Sequence, residues 1–183
     1  MKIRGDKLKQ FMGEKGASAE TLAKPLARKG LDERKAASAV RNWARGSDHP
    51  RCKPEDIKVL ARELGCGVAD IVRFTSMIKY HRGGVRKAGL LVDLIRGKDI
   101  EQARNFLEFT PKLAAVNVKK ALEAAVADSG AYDVDQADLV VAESRVDQGP
   151  RLKRFQPKDR GRAHPIIKPM AHITVGVQLK EQA

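Results

Sequence analysis

The chain has 183 residues, enough for one ordinary domain or two small ones, and 42% of them are hydrophobic. Lys and Arg outnumber Asp and Glu by 36 to 23, a formal net charge of +13 that predicts attraction to polyanions, nucleic acid first. No apolar run reaches the roughly 20 residues of a transmembrane helix, MKIRGDKLKQF has no apolar leader core, and nothing marks a membrane anchor. Cys52 and Cys66 lack CxxC spacing, which predicts a reduced, cytoplasmic setting.

Residues 1–75 read as helices throughout, and a domain boundary is expected near Phe74–Ser76. Ser18 is placed to cap a helix carrying Leu22, Ala23 and Leu26, with Pro25 set to kink or end it. Asp32 is placed to cap the next, in which Ala36, Val40 and Trp43 recur on one face and Lys35, Ser38, Arg41, Asn42 and Arg45 on the other, up to a stop at Gly46. Pro54, with Glu55 and Asp56 behind it, opens a third helix whose stripe is Ile57, Leu60, Ala61 and Leu64, closed by Gly65. Val68, Ile71 and Val72 suit a short last helix. Asp48, His49 and Cys52 bring ligand types together but fall short of the four that structural zinc takes, so no metal is expected.

Residues 76–183 are expected to begin helical. Ala88, Leu91, Val92 and Ile95 form a stripe ended by Gly97. Asp99 with Gln102 resembles a capping box ahead of Ile100, Ala103 and Leu107. Thr110-Pro111 reads as the start of a long helix carrying Ala114, Val118, Ala121, Leu122 and Ala125 to Ser129-Gly130. The period then changes. Leu139–Ala142 reads as a strand, and His172–Leu179 alternates with Ile173, Val175, Val177 and Leu179 on one face. Helices followed by antiparallel strands predict an α+β domain.

Between those strands lies a hairpin at about 148–171, with limbs 151–156 and 166–171 and a tip near Lys158–Ala163. It carries Arg151, Lys153, Arg154, Lys158, Arg160, Arg162 and Lys168 against one acid, Asp159. Phe155, Ile166, Ile167 and Met170 are nearly all its apolar content, and an isolated two-stranded ribbon is marginal in water. Pro157, Pro165 and Pro169 fit because both strands have an open edge. Such a ribbon makes sense if a phosphate surface orders it, each neutralised phosphate releasing counterions. Phe155 and His164 offer rings for stacking, and the arginines stack or pair bidentately.

The run Arg82…Arg86-Lys87-Ala88…Leu90-Leu91-Val92-Asp93-Leu94-Ile95-Arg96-Gly97-Lys98 resembles the opening helix of the bacterial ribosomal protein L-twenty-two family of the large subunit. Val146-Asp147-Gln148-Gly149-Pro150, then Lys153-Arg154, Pro157, Gly161-Arg162-Ala163, Ile167-Lys168 and His172-Ile173-Thr174-Val175 are similar to that family's hairpin and return strand. The resemblance covers residues 77–179. It implies a core of about three helices on a small antiparallel sheet with a long protruding hairpin. It also implies a structural protein that binds large-subunit rRNA, takes part in early assembly and touches neighbouring ribosomal proteins. Its hairpin would line the nascent-peptide exit tunnel, with the peptide near the tip, and hairpins of this family are linked to macrolide sensitivity. Carried over, Lys153, Arg154, Gly161, Arg162, Ala163 and Lys168 belong to the hairpin, and Arg82, Arg86 and Lys87 contact rRNA from the first helix. Gly89 stands where an Arg is usual, Gln148 where an acid is usual, Pro169 where a base is usual, and Asp159 adds an acid at the tip.

The first 75 residues resemble a repressor-type, Cro-like helix-turn-helix domain, through Ser18 ahead of Leu22-Ala23, Asn42-Trp43…Gly46, and Ile57…Leu60-Ala61…Leu64-Gly65…Val68…Ile71. Pro25 and the long stretch from Ala23 to Trp43 depart from that family's tight turn. The resemblance implies that Arg34, Lys35, Ser38, Arg41, Asn42 and Arg45 form a nucleic-acid face. Three readings stand: an extra rRNA or ribosomal-surface anchor, a regulator of duplex DNA, or no nucleic-acid role. No enzyme is expected, since His49, His81, His164 and His172 are scattered without a nucleophile or paired acid, and no cofactor or small-molecule substrate is implied. Gly83-Gly84 ahead of a helix is a flexible entry that admits a phosphate, but not a phosphate-cradling glycine motif.

Overall fold

The computed structural model describes residues 1–27 and 31–180 and divides into two compact units, Met1–Phe74 and Thr75–Ala183. The first unit holds β1 (Lys2–Ile3), α1 (Gly5–Glu14), α2 (Ala19–Leu26), α3 (Glu33–Ala44), α4 (Pro54–Leu64) and α5 (Val68–Ile71), and the chain then enters β2 (Val72–Arg82). It is therefore not helical throughout. Lys2 pairs with Arg73 and Ile3 with Val72, antiparallel, in strands whose ends are too short to show a period of two. Val72, expected to close the last helix, opens β2 instead.

The expected stripes make this unit's core. Leu22, Ala23, Leu26, Ala36, Val40, Trp43, Ile57, Leu60, Ala61 and Leu64 are all buried, joined by Leu8 and Ile71. Burying each large side chain contributes about 1.5–3 kcal/mol against leaving it in water. Ser18 caps α2, its Oγ accepting from the Thr21 N–H at 3.2 Å, and α2 ends one residue after Pro25. Residues 28–30, between α2 and α3, lie outside the described residues. Asp32 occupies the N-cap of α3 without capping it. Its carboxylate lies 3.7 Å from Lys35 Nζ instead, the exposed lysine competing for the same oxygens. Gly46 at φ 84° closes α3, with the Ser47 N–H returning to the Asn42 carbonyl at 2.9 Å.

In the second unit, β2 is followed by α6 (Val85–Ile95), α7 (Ile100–Glu108), α8 (Leu113–Gly130), a 3-10 turn (Gln136–Asp138), β3 (Leu139–Gln148), β4 (Leu152–Pro157), β5 (Ala163–Lys168) and β6 (Met170–Leu179). This is α+β. It opens on a strand where a helix was expected, because Arg73, Lys79 and the turn-like Tyr80 break the alternation of β2. β6 lies between β2 and β3. β3 runs antiparallel to it from Leu139↔Leu179 to Gln148↔Ala171, with a register shift between Val141 and Glu143. As an interior strand, β6 buries Thr174 as well as Ile173, Val175 and Val177, so its alternation is not core against solvent.

α6 and α8 pack on β3 and β6. Ala88, Leu91, Val92, Ile95, Ile100, Ala103, Leu107, Val118, Ala121, Leu122 and Ala125 are buried. Two expected caps differ. Asp99 precedes α7, but its carboxylate meets Lys180 Nζ at 3.0 Å, a partner remote in sequence. Thr110 turns back to the Phe106 carbonyl at the end of α7, so α8 starts two residues later than Thr110-Pro111 predicts, with Lys112 at its N-cap. No described helix is long and apolar enough to cross a membrane.

Candidate nucleic-acid interface

β4 and β5 form a two-stranded sheet of their own, paired from Leu152↔Lys168 to Pro157↔Ala163. The first limb starts one residue later than expected. The return limb runs from Ala163 to Lys168 and stops at Pro169, which has no N–H to continue a ladder, so Met170 and Ala171 belong to β6. At the root the Gly149 N–H donates to the Met170 carbonyl at 2.8 Å. At the tip the Lys158 N–H donates to the Arg162 carbonyl at 2.7 Å, and Arg160 (φ 52°) and Gly161 (φ 72°) make the left-handed reversal.

No residue of either limb or of the tip is buried, and Phe155 is 74% and Ile167 54% exposed, so the ribbon has no core. Arg151, Lys153, Arg154, Lys158, Arg160, Arg162, His164 and Lys168 are all exposed. Arg154 bonds only a neighbouring backbone carbonyl, that of Lys153 at 2.8 Å, and Arg151 lies within reach of the Gln148 side-chain oxygen. The register sorts the side chains. Arg154, Ile166, Gln156, His164, Leu152 and Lys168 share one face. Lys153, Ile167, Phe155, Pro165, Pro157 and Ala163 share the other, which is mostly apolar. Sequence reading counted the charges but missed this second face, since only the pairing shows which limb residues lie side by side.

A second cationic group gathers at the start of α6. Arg82 ends β2, and Arg86 and Lys87 lie in the first turn of α6, all exposed. Beside them is a cavity of about 750 Å³ lined by His81, Arg82, Gly83, Gly84, Lys87 and Lys112 together with the apolar Leu90, Leu113, Ala114 and Pro169. His81 is 5% exposed, and its Nδ1 lies 2.6 Å from the Asn117 amide nitrogen on α8. Burial pulls its pKa below the ordinary histidine value. Tyr80, at φ 60°, breaks the strand alternation and turns the next side chain inward, while its own N–H donates to His172 Nδ1 at 3.1 Å. Sequence reading counted His81 only among the scattered histidines, where the structure buries it, and left Lys112 and Asn117 unassigned. Gly83-Gly84 before a helix was the one local signal of this place.

On the face of α3 in the first unit, Arg34, Ser38 and Arg45 are exposed. Lys35 pairs with Asp32, Arg41 with Glu20 of α2, and the Asn42 amide donates to the His49 carbonyl at 3.0 Å. Trp43 Nε1 reaches the Pro50 carbonyl at 2.6 Å, so the loop after α3 is stitched back onto the helix. Asp48 and Cys52 belong to that stitching, the Cys52 N–H lying 3.4 Å from Asp48 Oδ1. Three of the six residues expected to form one open face are thus engaged with their own unit, and for Arg41 and Asn42 the partner is one that the helical wheel does not reveal.

Residues 76–178 match the family model described as Ribosomal protein L22p/L17e. Among curated proteins the chain is 43% identical over 112 residues to the large ribosomal subunit protein uL22 of Lacticaseibacillus casei (strain BL23), covering 61% of this chain and 96% of that protein. It is 48% identical over 96 residues to the uL22 of Ligilactobacillus salivarius (strain UCC118), covering 52% and 84%. It is 43% identical over 107 residues to that of Clostridium tetani (strain Massachusetts / E88), covering 58% and 96%.

Proposed function

The chain belongs to the ribosomal protein L22p/L17e family, and from that premise we propose that it is a structural, non-enzymatic constituent of the large ribosomal subunit. It binds large-subunit rRNA and adjoins neighbouring ribosomal proteins. The observation that carries the reading is the hairpin: seven basic side chains between Arg151 and Lys168 on a ribbon with no buried residue and so no core. Packed rRNA supplies what the ribbon lacks. Phosphates neutralise its charges, and the face bearing Phe155, Pro165 and Pro157 offers a flat apolar surface to bases. The finer reading is that the hairpin lines the nascent-peptide exit tunnel, with its tip beside the peptide.

The first unit is read as an additional rRNA or ribosomal-surface anchor, using the exposed Arg34 and Arg45. The engagement of Arg41 with Glu20 and of Asn42 with His49 favours this over duplex DNA, because it occupies two of the side chains that base-edge contacts require.

The test is incorporation. Cells carrying only a form lacking residues 151–168 are lysed, and sedimentation follows the protein against large subunits. Loss from the large-subunit fraction is expected, with helical content retained by circular dichroism. Normal incorporation would remove the anchoring role of the hairpin.

A further inference from the structure

We propose that the end of α7 carries a binding site for one unpaired nucleobase, separate from the hairpin and from the cations at the start of α6. Phe109 is the stacking platform, and the side-chain amides of Gln102 and Asn105 meet the edge of the base. The base belongs to an unpaired nucleotide of large-subunit rRNA, a statement that rests on the ribosomal reading above.

The helix period builds the site. Ile100, Ala103 and Leu107 of α7 turn into the core, which leaves Gln102, Asn105, Phe106 and Phe109 together on the outer side. With Lys98 and Thr110 they line a cavity of about 640 Å³. Phe106 is already held: Lys98 Nζ lies 4.7 Å from its ring centre, and the Thr110 hydroxyl donates to its carbonyl. Phe109 is 85% exposed and has no ring or cation partner among the described residues. A large aromatic face thus stands open at the mouth of a cavity.

Charge and hydrogen bonding select the occupant. The lining holds one cation and no carboxylate. The acids nearest in sequence are engaged elsewhere, Asp99 with Lys180 at 3.0 Å and Glu108 with Lys119 at 3.5 Å. That balance attracts a polyanionic strand. The cavity lies at the C-terminal end of α7, where the helix dipole is negative, so the neutral base enters it and the phosphate stays outside. Gln102 and Asn105 each present a donor and an acceptor, the pairing that base edges offer, and neither side chain has a hydrogen bond among the described residues. An apolar side chain of a protein partner would use the ring and leave both amides idle.

The experiment uses the full chain. Adenosine, which carries no phosphate, is titrated while NMR follows the Phe106 and Phe109 rings and the Gln102 and Asn105 side-chain amides. Saturable shifts are expected, lost in Phe109→Ala and kept in Phe109→Trp. The exposure of Phe109 lets both variants fold. Binding of large-subunit rRNA is then measured against salt. Phe109→Ala should weaken it about fivefold to a hundredfold, the loss of one stacked base, with the slope of log affinity unchanged because no phosphate contact is removed.

No adenosine shift together with unchanged rRNA affinity would overturn the site. If that variant is also lost from large subunits, the surface belongs to a neighbouring protein instead. A lower salt slope in Phe109→Ala would overturn the stacked base in favour of a phosphate contact. Saturable adenosine binding with unchanged rRNA affinity would overturn rRNA as the source and leave a site for a free nucleotide. If the unaltered chain binds no rRNA, the ribosomal reading and the rRNA source both fall, and the adenosine titration still decides whether the site exists.

Discussion

Replacing Arg154, Arg162 and Lys168 together with Ala tests the role of the hairpin in its simplest physical form. All three are exposed, and the only bond found for any of the side chains is that of Arg154 to the Lys153 carbonyl. Their removal costs the folded chain almost nothing, since a bond of that kind at the surface contributes little. If each neutralises one phosphate, the slope of log affinity against log salt falls by about 0.7–0.9 per residue, or roughly 2–2.7 for the three. Between 50 and 200 mM salt the unaltered chain should then lose about 20–40-fold more affinity than the variant. Filter binding of the full chain to large-subunit rRNA over that range measures it, with thermal unfolding alongside. An unchanged slope would refute the phosphate role. A lower unfolding midpoint would show that the ribbon supports the fold and that the coreless description is wrong.

Three more expectations follow from close contacts and burial. A Cβ on Gly5 would sit 2.6 Å from the Gly46 nitrogen and 2.7 Å from the Trp43 carbonyl oxygen, both backbone, so Gly5→Ala should destabilise the first unit by about 1–3 kcal/mol. Denaturant titration read by the single tryptophan, Trp43, would expose an error if the midpoint held. Gly89 lies inside α6 with open space where its Cβ would be, so Gly89→Ala should stabilise the second unit by about 0.5–1 kcal/mol, checked by thermal unfolding. Burial depresses the His81 pKa, so folding favours the neutral imidazole. Its contribution should be complete above the unfolded value near 6.5 and diminish as pH falls through the window down to the lowered folded value. His81→Phe should flatten that part of the pH–stability curve, and an identical curve would count against it.

Much of the chain was legible in the residues because the governing physics is local. A helix repeats every 3.6 residues, so Ala36, Val40 and Trp43, or Ile57, Leu60 and Leu64, announce both the helix and the face it buries. Pro54, Gly46 and Gly65 mark starts and stops through their own dihedral limits. The charge of the hairpin is plain in composition, as is the order of motifs that carries the family resemblance.

Other features depend on what meets what across the fold. Asp32, Asp99 and Thr110 have the right chemistry for caps, yet each finds another partner: Lys35, Lys180 and the Phe106 carbonyl. β2 went unread because positive φ at Tyr80 and scattered charge hide its alternation. The apolar face of the hairpin exists only through the pairing that sets Phe155 opposite Pro165. The cavity is the furthest from the sequence, since it needs β2 to turn His81 inward, Asn117 on α8 to meet its ring, and two helix starts to converge beside Pro169. Helices, charge and family are readable from the residues alone, because periodicity, turn residues and composition act over a few neighbouring positions. The hairpin's two faces and the buried histidine exist only in the folded chain, because each depends on residues that pairing and packing bring together from separate elements.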